Sequence, residues 1–372
     1  MQCDNAFVKG ESSMRGQVDP QGAMFTYFSP ESRVPADHPL RSIKANADAV
    51  LKSLSGEFDR LYSETGRPSI PPERLLKASL LIALYSVRSD RVFCETLDYN
   101  ILFRWFLDMN LEQPGLDQSN FSRLRERLVE EDTARRFFDA VVSTARKAQL
   151  LSDEHFTVDG TLIEAWASLK SFKAKDGPPS EGGGDGMVDF RGQRRTNDTH
   201  ESSTDEEARL ARKGKGKEAK LSYGGHALME NRNGLCVDLR VSSTLETEAD
   251  AAKRMLERQA KKRVRPATLG ADKGYHSKDF VAHLRKKKIA PHIARIDGRR
   301  TPGLDARTTR HEGYAISQRK RKRIEEIFGW MKAYGGLRRT MARGLGRVRM
   351  HAFIVGAAYN LLRMSRLQPT TG

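Results

Sequence analysis

The sequence predicts an α/β protein in which an all-helical N-terminal domain precedes a mixed-sheet domain. Two observations support this. Before position 150 the apolar residues recur at the spacing of a buried helix face, and from 155 onward short β-like runs alternate with amphipathic helices. The length of 372 residues suits two domains, and a hydrophobic content of 38% is enough for a real core.

Residues 1–36 are rich in Gly, Ser and Pro without sustained periodicity and read as a loose arm. The helical domain spans 37–150. In PPERLLKASLLIALYSV (71–87), prolines suited to a first turn precede Leu75, Leu76, Leu80, Leu81 and Leu84 on one face. DYNILFRWFLDM (98–109) is a second apolar segment. The stretch 119–151 reads as one long amphipathic helix, with Ser119 or Asn120 as its N-cap. This domain suits packing, dimerisation or binding of DNA ends.

The second domain spans 151–365. The β-like run FTV ends at Asp159-Gly160. A polar insertion at about 173–218, containing EGGGDG and RKGKGKEAK, reads as a long solvated basic loop, since the spacing of a phosphate loop is absent. LSYGGHALMENRNGLCVDLRVSS (221–243) reads as a hairpin turning at Asn231–Gly234. Residues 247–263 read as a helix capped by Thr247. ATLGADKGY is a strand leading into Asp272, followed by a helix (277–289), a strand (APHIAR), a basic helix around 319–332 and the apolar FIVGAAYNLLRM. The order β, ββ hairpin, α, β, α, β, α suits a ribonuclease-H-like mixed sheet.

Net charge is +17 with a pI near 9.8, an excess that calls for a polyanionic partner, nucleic acid before membrane. A membrane partner is disfavoured, because no uncharged apolar run of about 18 residues exists, and the N-terminus lacks the apolar core of a secretory signal. Cys3, Cys94 and Cys236 are too scattered for a disulfide framework or a zinc cluster. The reading is a soluble, cytoplasmic protein.

Two-metal phosphodiester chemistry needs carboxylates converging from separate elements. Asp159-Gly160 and Asp272-Lys273-Gly274 fit an aspartate at a strand end, with a glycine that lets nucleic-acid backbone come close. Each alone also fits an ordinary turn. The segment RKRKRIEEIFGWMK (319–332) is more informative. At about 100° per residue, Ile324, Ile327, Phe328 and Met331 share one face. Arg321, Glu325 and Lys332 form a stripe along its edge, and Glu326 points away. A metal-binding carboxylate must border the core, which selects Glu325. Simple salt bridging would instead pair Arg321 with Glu325 and Lys322 with Glu326. It leaves unexplained why residues 300–350 carry 14 Lys and Arg against 4 Asp and Glu.

Glu164 and Asp238 read as capping, turn or surface residues, and His200 and His226 lack a partner at zinc spacing. Trp330 reads as packing against the helical domain, with stacking on a flipped base as the alternative. Arg338, Arg339, Arg343, Arg347 and Arg349 are candidate backbone contacts.

The spacing Arg321-x3-Glu325-x6-Lys332 resembles the C-terminal part of the Y-x2-R-x3-E-x6-K motif of DDE transposases from bacterial insertion sequences. TVDGTLIEAWAS, LGADKGY and SQRKRKRIEEIFGWMKAYGGLRRT are similar to the IS5-type group, and the helical block resembles its N-terminal domain. The resemblance implies a triad of Asp159, Asp272 and Glu325 holding two Mg²⁺ ions, with Mn²⁺ able to substitute. It implies DNA-phosphate contacts or support of the metals from Arg321 and Lys332, to which Arg319, Arg323, Arg338, Arg339 and Arg343 add basic surface. Gln318 stands where the motif has tyrosine. The implied activity is cleavage at the element's ends and strand transfer into target DNA. The implied partners are double-stranded DNA and a second copy or larger assembly, at the bacterial nucleoid. A ribonuclease-H-like nuclease without strand transfer and an inactive DNA-binding derivative are the alternatives.

Overall fold

The computed structural model describes residues 28–60, 69–130, 132–175, 189–190, 193–214 and 216–368. Residues 1–27 of the expected arm lie outside the described residues, and Pro30–Arg33, within its remainder, is a helix rather than loose chain. Of the polar insertion, 176–188, 191–192 and 215 lie outside them. Seven helices come first: α1 (Pro30–Arg33), α2 (Pro39–Asp59), α3 (Pro72–Leu84), α4 (Asp90–Tyr99), α5 (Ile101–Phe106), α6 (Gln118–Glu130) and α7 (Thr133–Lys147). Prolines open the first three, where a missing N–H costs nothing. The long helix expected over 119–151 is two helices. Asp132, with φ near +50°, breaks it, and Asp117 rather than Ser119 or Asn120 caps the first by accepting from the Asn120 N–H at 2.7 Å. Buried Lys77 is neutralised by Asp48 and Asp108 at 2.7 and 2.5 Å.

The strands and later helices run β1 (His155–Glu164), β2 (Phe172–Ala174), β3 (Asp189–Phe190), β4 (Gln193–Arg194), β5 (His200–Ser202), β6 (Arg209–Arg212), β7 (Ala219–Glu230), β8 (Cys236–Ser243), α8 (Glu248–Lys261), β9 (Thr268–Ala271), α9 (Lys278–Lys286), β10 (Ala290–Ile293), α10 (Ala306–Thr309), α11 (Glu312–Lys320), α12 (Ile324–Ala333) and α13 (Leu345–Leu367). The main sheet is ordered β10-β9-β1-β7-β6, with β8 also on β7. β1, β7 and β8 form an antiparallel meander, and β9 and β10 join β1 in parallel. This is the ribonuclease-H-like arrangement that the element order predicts. The hairpin turns at Asn231–Gly234 as expected, with the Glu230 N–H donating to the Leu235 carbonyl.

Two expectations are corrected here. The insertion is not simply a loop, because β2 pairs with β5 and β6 joins the main sheet. Asp159 does not end a strand: β1 continues through Glu164 because β7 pairs with it throughout, Asp159 opposite Ala227. The Asp-Gly dipeptide is therefore extended backbone, not a turn.

The C-terminal helix belongs to both regions. α13 packs on α7, α3 and α2 from one side and on β8 from the other. Asn360 bonds both the N–H and the carbonyl of Cys236, at 2.9 and 2.8 Å, and Phe353 packs against Phe138 of α7. One continuous apolar cluster runs through both parts, so the sheet has a rigid support.

Candidate active site

β1 and β9 pair His155 with Thr268, Phe156 with Leu269 and Thr157 with Gly270. Continuing that register by two residues sets Asp159 beside Asp272, on strands about 4.8 Å apart. Side chains two apart share a face, so both carboxylates point the same way. β9 ends at Ala271, leaving a notch in the sheet where Asp159 loses its parallel neighbour.

The segment α11–α12 covers this face. At one end the Ser317 hydroxyl lies 3.1 Å from His155 Nε2, and at the other Lys332 Nζ donates to Thr161 Oγ1 at 2.6 Å. Arg321 and Glu325 therefore lie between these anchors, over Asp159, and the charges of both reach it. The apolar face is as expected, with Ile324, Ile327, Phe328 and Met331 buried. The helix is not continuous, however. A 3-10 turn over Arg321–Arg323 separates α11 from α12, turning about 20° further per residue than an α-helix does. This break lets five adjacent positive charges fan apart. Arg319, Lys320 and Lys322 remain exposed, Arg321 Nε donates to Gln318 Oε1 at 3.1 Å, and Arg323 donates to the carbonyls of Asn231 and Arg232. The pairs Arg321–Glu325 and Lys322–Glu326 do not form among the described residues. Glu326 instead faces Arg323 and Arg363 at 3.6 and 3.5 Å.

The electrostatics single out the same place. Burial, then the charge of Asp272, raises Asp159 to about 6, against the pull of the Gly160 N–H and Arg321. A carboxylate that the sequence reading did not select, Glu248 at the start of α8, is also raised to about 6. Surrounding protein is the main cause, followed by Asp272 and Asp159, although the residue as a whole is solvent-exposed. A Cβ on Gly160 would meet Glu248 Oε1 at 2.8 Å, and one on Gly274 would lie 3.0 Å from Asp272 Oδ1 and 3.2 Å from Glu248 Oε2. A side chain at either glycine would therefore press on Glu248. The signal that could have found it is an acid at the first position of the helix after the hairpin.

Among the described residues, Asp159, Asp272, Glu248 and Glu325 take part in no ion pair, although the chain carries a net +17. Asp159 Oδ1 accepts from the Gly160 N–H and Asp272 Oδ1 from the Gly274 N–H, each at 2.8 Å. Hard oxygen donors with unused lone pairs and no protein cation are the donor set for a divalent ion. The carboxylates stand apart rather than in one coordination sphere: among the described residues, no group of three or more His, Cys, Asp or Glu could hold a metal ion as it stands.

A family model for a transposase DDE domain matches residues 152–361, more than half of the chain, and one for the transposase domain DUF772 matches residues 28–127. The chain belongs to the DDE transposase family. Enzymes of this family use divalent metal ions. No curated protein matches the chain. Among solved structures, it is similar to a piggyBac transposase synaptic complex with hairpin DNA, at 12% identity over 88% of this chain and 75% of that one, TM-score 0.41. A pre-cleavage Mos1 transpososome follows at 10% identity, covering 82% of each chain, TM-score 0.19. A Mos1 mariner paired end complex with Mn has 12% identity over 86% and 84%, TM-score 0.19.

The other residues singled out from the transposase sequence fall in distinct places. Burial, then the charges of Lys213 and Arg338, depress the Lys332 ammonium, which bonds Thr161 two residues along β1 from Asp159. Arg339 stacks 4.7 Å over the Trp166 ring, and Arg343 is exposed. Arg347 is paired with Glu126 and Arg349 donates to the Val241 carbonyl. Arg323 likewise serves the hairpin loop. Gln318, at the motif's tyrosine position, bridges the His292 carbonyl to Arg321. Trp330 packs against Tyr334 and Tyr359. Glu164 pairs with Lys220 at 3.2 Å. Asp238 is not a surface residue: it is fully buried among Arg135, Arg258 and Gln259. No described helix is long and apolar enough to cross a membrane.

Proposed function

We propose that this transposase cuts DNA at the ends of an IS5-type insertion sequence and joins the freed 3′ ends to target DNA, with Asp159, Asp272 and Glu325 as its acidic triad. The observation that carries the reading is that Asp159 and Asp272, each two residues beyond the last β1–β9 pair, lie near Arg321 and Glu325 and form no ion pair among the described residues. Divalent ions bound there, Mg²⁺ with Mn²⁺ as a substitute, would supply a water of lowered pKa and neutralise charge at phosphorus.

The chain's own residues do the rest. Asp159, Asp272 and Glu325 would hold the ions through their carboxylate oxygens. Gln318 fixes the Arg321 guanidinium beside the site, where it can pair with a phosphate oxygen. Lys332, Lys213 and Arg338 form a rim that gains by neutralising DNA phosphates, and Arg319, Arg339 and Arg343 extend it. Arg323 supports the turn from behind. Both cleavage and joining are in-line displacements at phosphorus, so one site serves both. Two element ends must meet, so the partners are double-stranded DNA and at least a second copy of the chain, with the helical domain binding the ends or pairing the copies. The setting is the bacterial cytoplasm, at the nucleoid.

The test supplies a labelled duplex carrying the element's own end, already cut to expose its 3′-hydroxyl, with Mg²⁺ and a target plasmid. Joined product is expected. Cutting of intact ends without joining would identify a nuclease, and binding with neither reaction an inactive derivative.

A further inference from the structure

Glu248 lies at the first position of α8, where an acid is favourable simply as the complement of the helix dipole. Its placement goes beyond that. Glu246 pairs with Arg240, and Asp250 with Thr247 and Lys253, so the neighbouring acids are occupied locally. The Glu248 carboxylate instead turns toward the strands, one oxygen against Gly160 and the other against Gly274. Gly160 follows Asp159 on β1 and so presents the opposite face of the sheet. Glu248 thus approaches from the α8 side, and Glu325 from the α12 side. The notch left where β9 stops joins the two faces, and there Glu248 Oε2 and Asp272 Oδ1 lie within 3.2 and 3.0 Å of one point.

Two buried polar side chains support a site here rather than a chance cluster. Tyr275 is fully buried and its hydroxyl has no hydrogen-bond partner, although the charges of Glu248, Asp159 and Asp272 all reach it. His226, opposite Gly160 on β7 and 4% exposed, has neither ring nitrogen bonded. Its Nδ1 would lie 3.1 Å from a Cβ on Gly160, next to the Glu248 oxygen. Buried donors without partners call for a ligand or its water shell.

We propose that Glu248 is a fourth carboxylate of the active site, ligating from the α8 face the divalent ion that Asp272 and Asp159 hold. The inference rests on the active-site reading above. Tyr275 and His226 serve the ion's water shell rather than the ion.

The test uses Fe²⁺ in place of Mg²⁺, with ascorbate and peroxide, on the full-length protein without DNA, so that radicals formed at the ion nick the nearby backbone. Wild type should be nicked beside Asp159, Asp272 and Glu248. Glu248→Gln should raise the Fe²⁺ concentration for half-cleavage about tenfold or more and lose the nick in α8. Glu248→Asp should fall between. Asp250→Asn, two residues along, should behave as wild type. Melting in EDTA should show Glu248→Gln at least as stable as wild type; a large loss of stability would mark Glu248 as structural and overturn the proposal. If Asp159→Asn/Asp272→Asn abolishes nicking while Glu248→Gln leaves it unchanged, Glu248 is no ligand but the active-site reading stands. If that double variant is nicked like wild type, the active-site reading itself fails.

Discussion

Two groups of acids in this molecule are treated in opposite ways. Asp238 is fully buried and saturated, with Arg258 at 3.0 and 3.1 Å, Arg135 at 3.4 Å and Gln259 at 3.2 Å. Asp159, Asp272, Glu248 and Glu325 border the β1–β9 notch without forming one coordination sphere, and among the described residues no arginine or lysine is paired to them. The first group links α7, β8 and α8. The second has its charge uncompensated within the fold, which is how a site for an external cation differs from a structural ion pair.

Removing charge should therefore have opposite effects in the two places. Asp159→Asn should lower DNA cleavage by about 10³-fold or more, since several kcal/mol of transition-state stabilisation depend on the ions, yet leave the metal-free melting temperature equal or higher. Cleavage assays and melting curves in EDTA read both. Asp238→Ala should do the reverse, costing about 3–5 kcal/mol in urea unfolding because it strands buried arginines. A fully stable Asp238→Ala protein would erase the distinction.

A third prediction concerns the support beneath α11. His292 is 7% exposed with Nδ1 unbonded, and burial, then the proximity of His155, depresses it to about 4. The unfolded chain, with a histidine value near 6.5, binds the proton more readily. Stability is thus present above about 6.5 and lost as pH falls toward 4, by on the order of 3 kcal/mol. His292→Asn should reduce that dependence in unfolding titrations between pH 4 and 7, leaving the share of His226 and His351, which burial also depresses to about 4. The smallest effect is expected at Gln318, which only orients Arg321. Gln318→Ala should reduce cleavage about tenfold while leaving duplex affinity within about twofold.

Much of this was legible in the sequence because it depends on local signals. Asn231–Gly234 marked the hairpin, Thr247 the start of α8, and the spacing of Ile324, Ile327, Phe328 and Met331 the buried face that sets Glu325 apart from Glu326. What escaped depends on distant partners or on competing local signals. Asp159-Gly160 carries the composition of a turn, and only pairing with β7 keeps it extended. The break at Arg321–Arg323 coincides with bonds from Arg323 to carbonyls of the hairpin loop, far away in sequence. Asp238 resembled a surface acid until Arg135 and Arg258 closed over it. Glu248 looked like an ordinary first-turn acid, and its glycine neighbours come from two other elements.

The most direct test of the account compares Glu325→Gln with Glu326→Gln in Mg²⁺ on a labelled duplex carrying the element's own end. The account predicts that Glu325→Gln abolishes cleavage while retaining DNA binding, and that Glu326→Gln, which only faces Arg323 and Arg363, cleaves like wild type. Equal cleavage by both variants would contradict it, leaving the basic turn as a binding surface without a catalytic carboxylate.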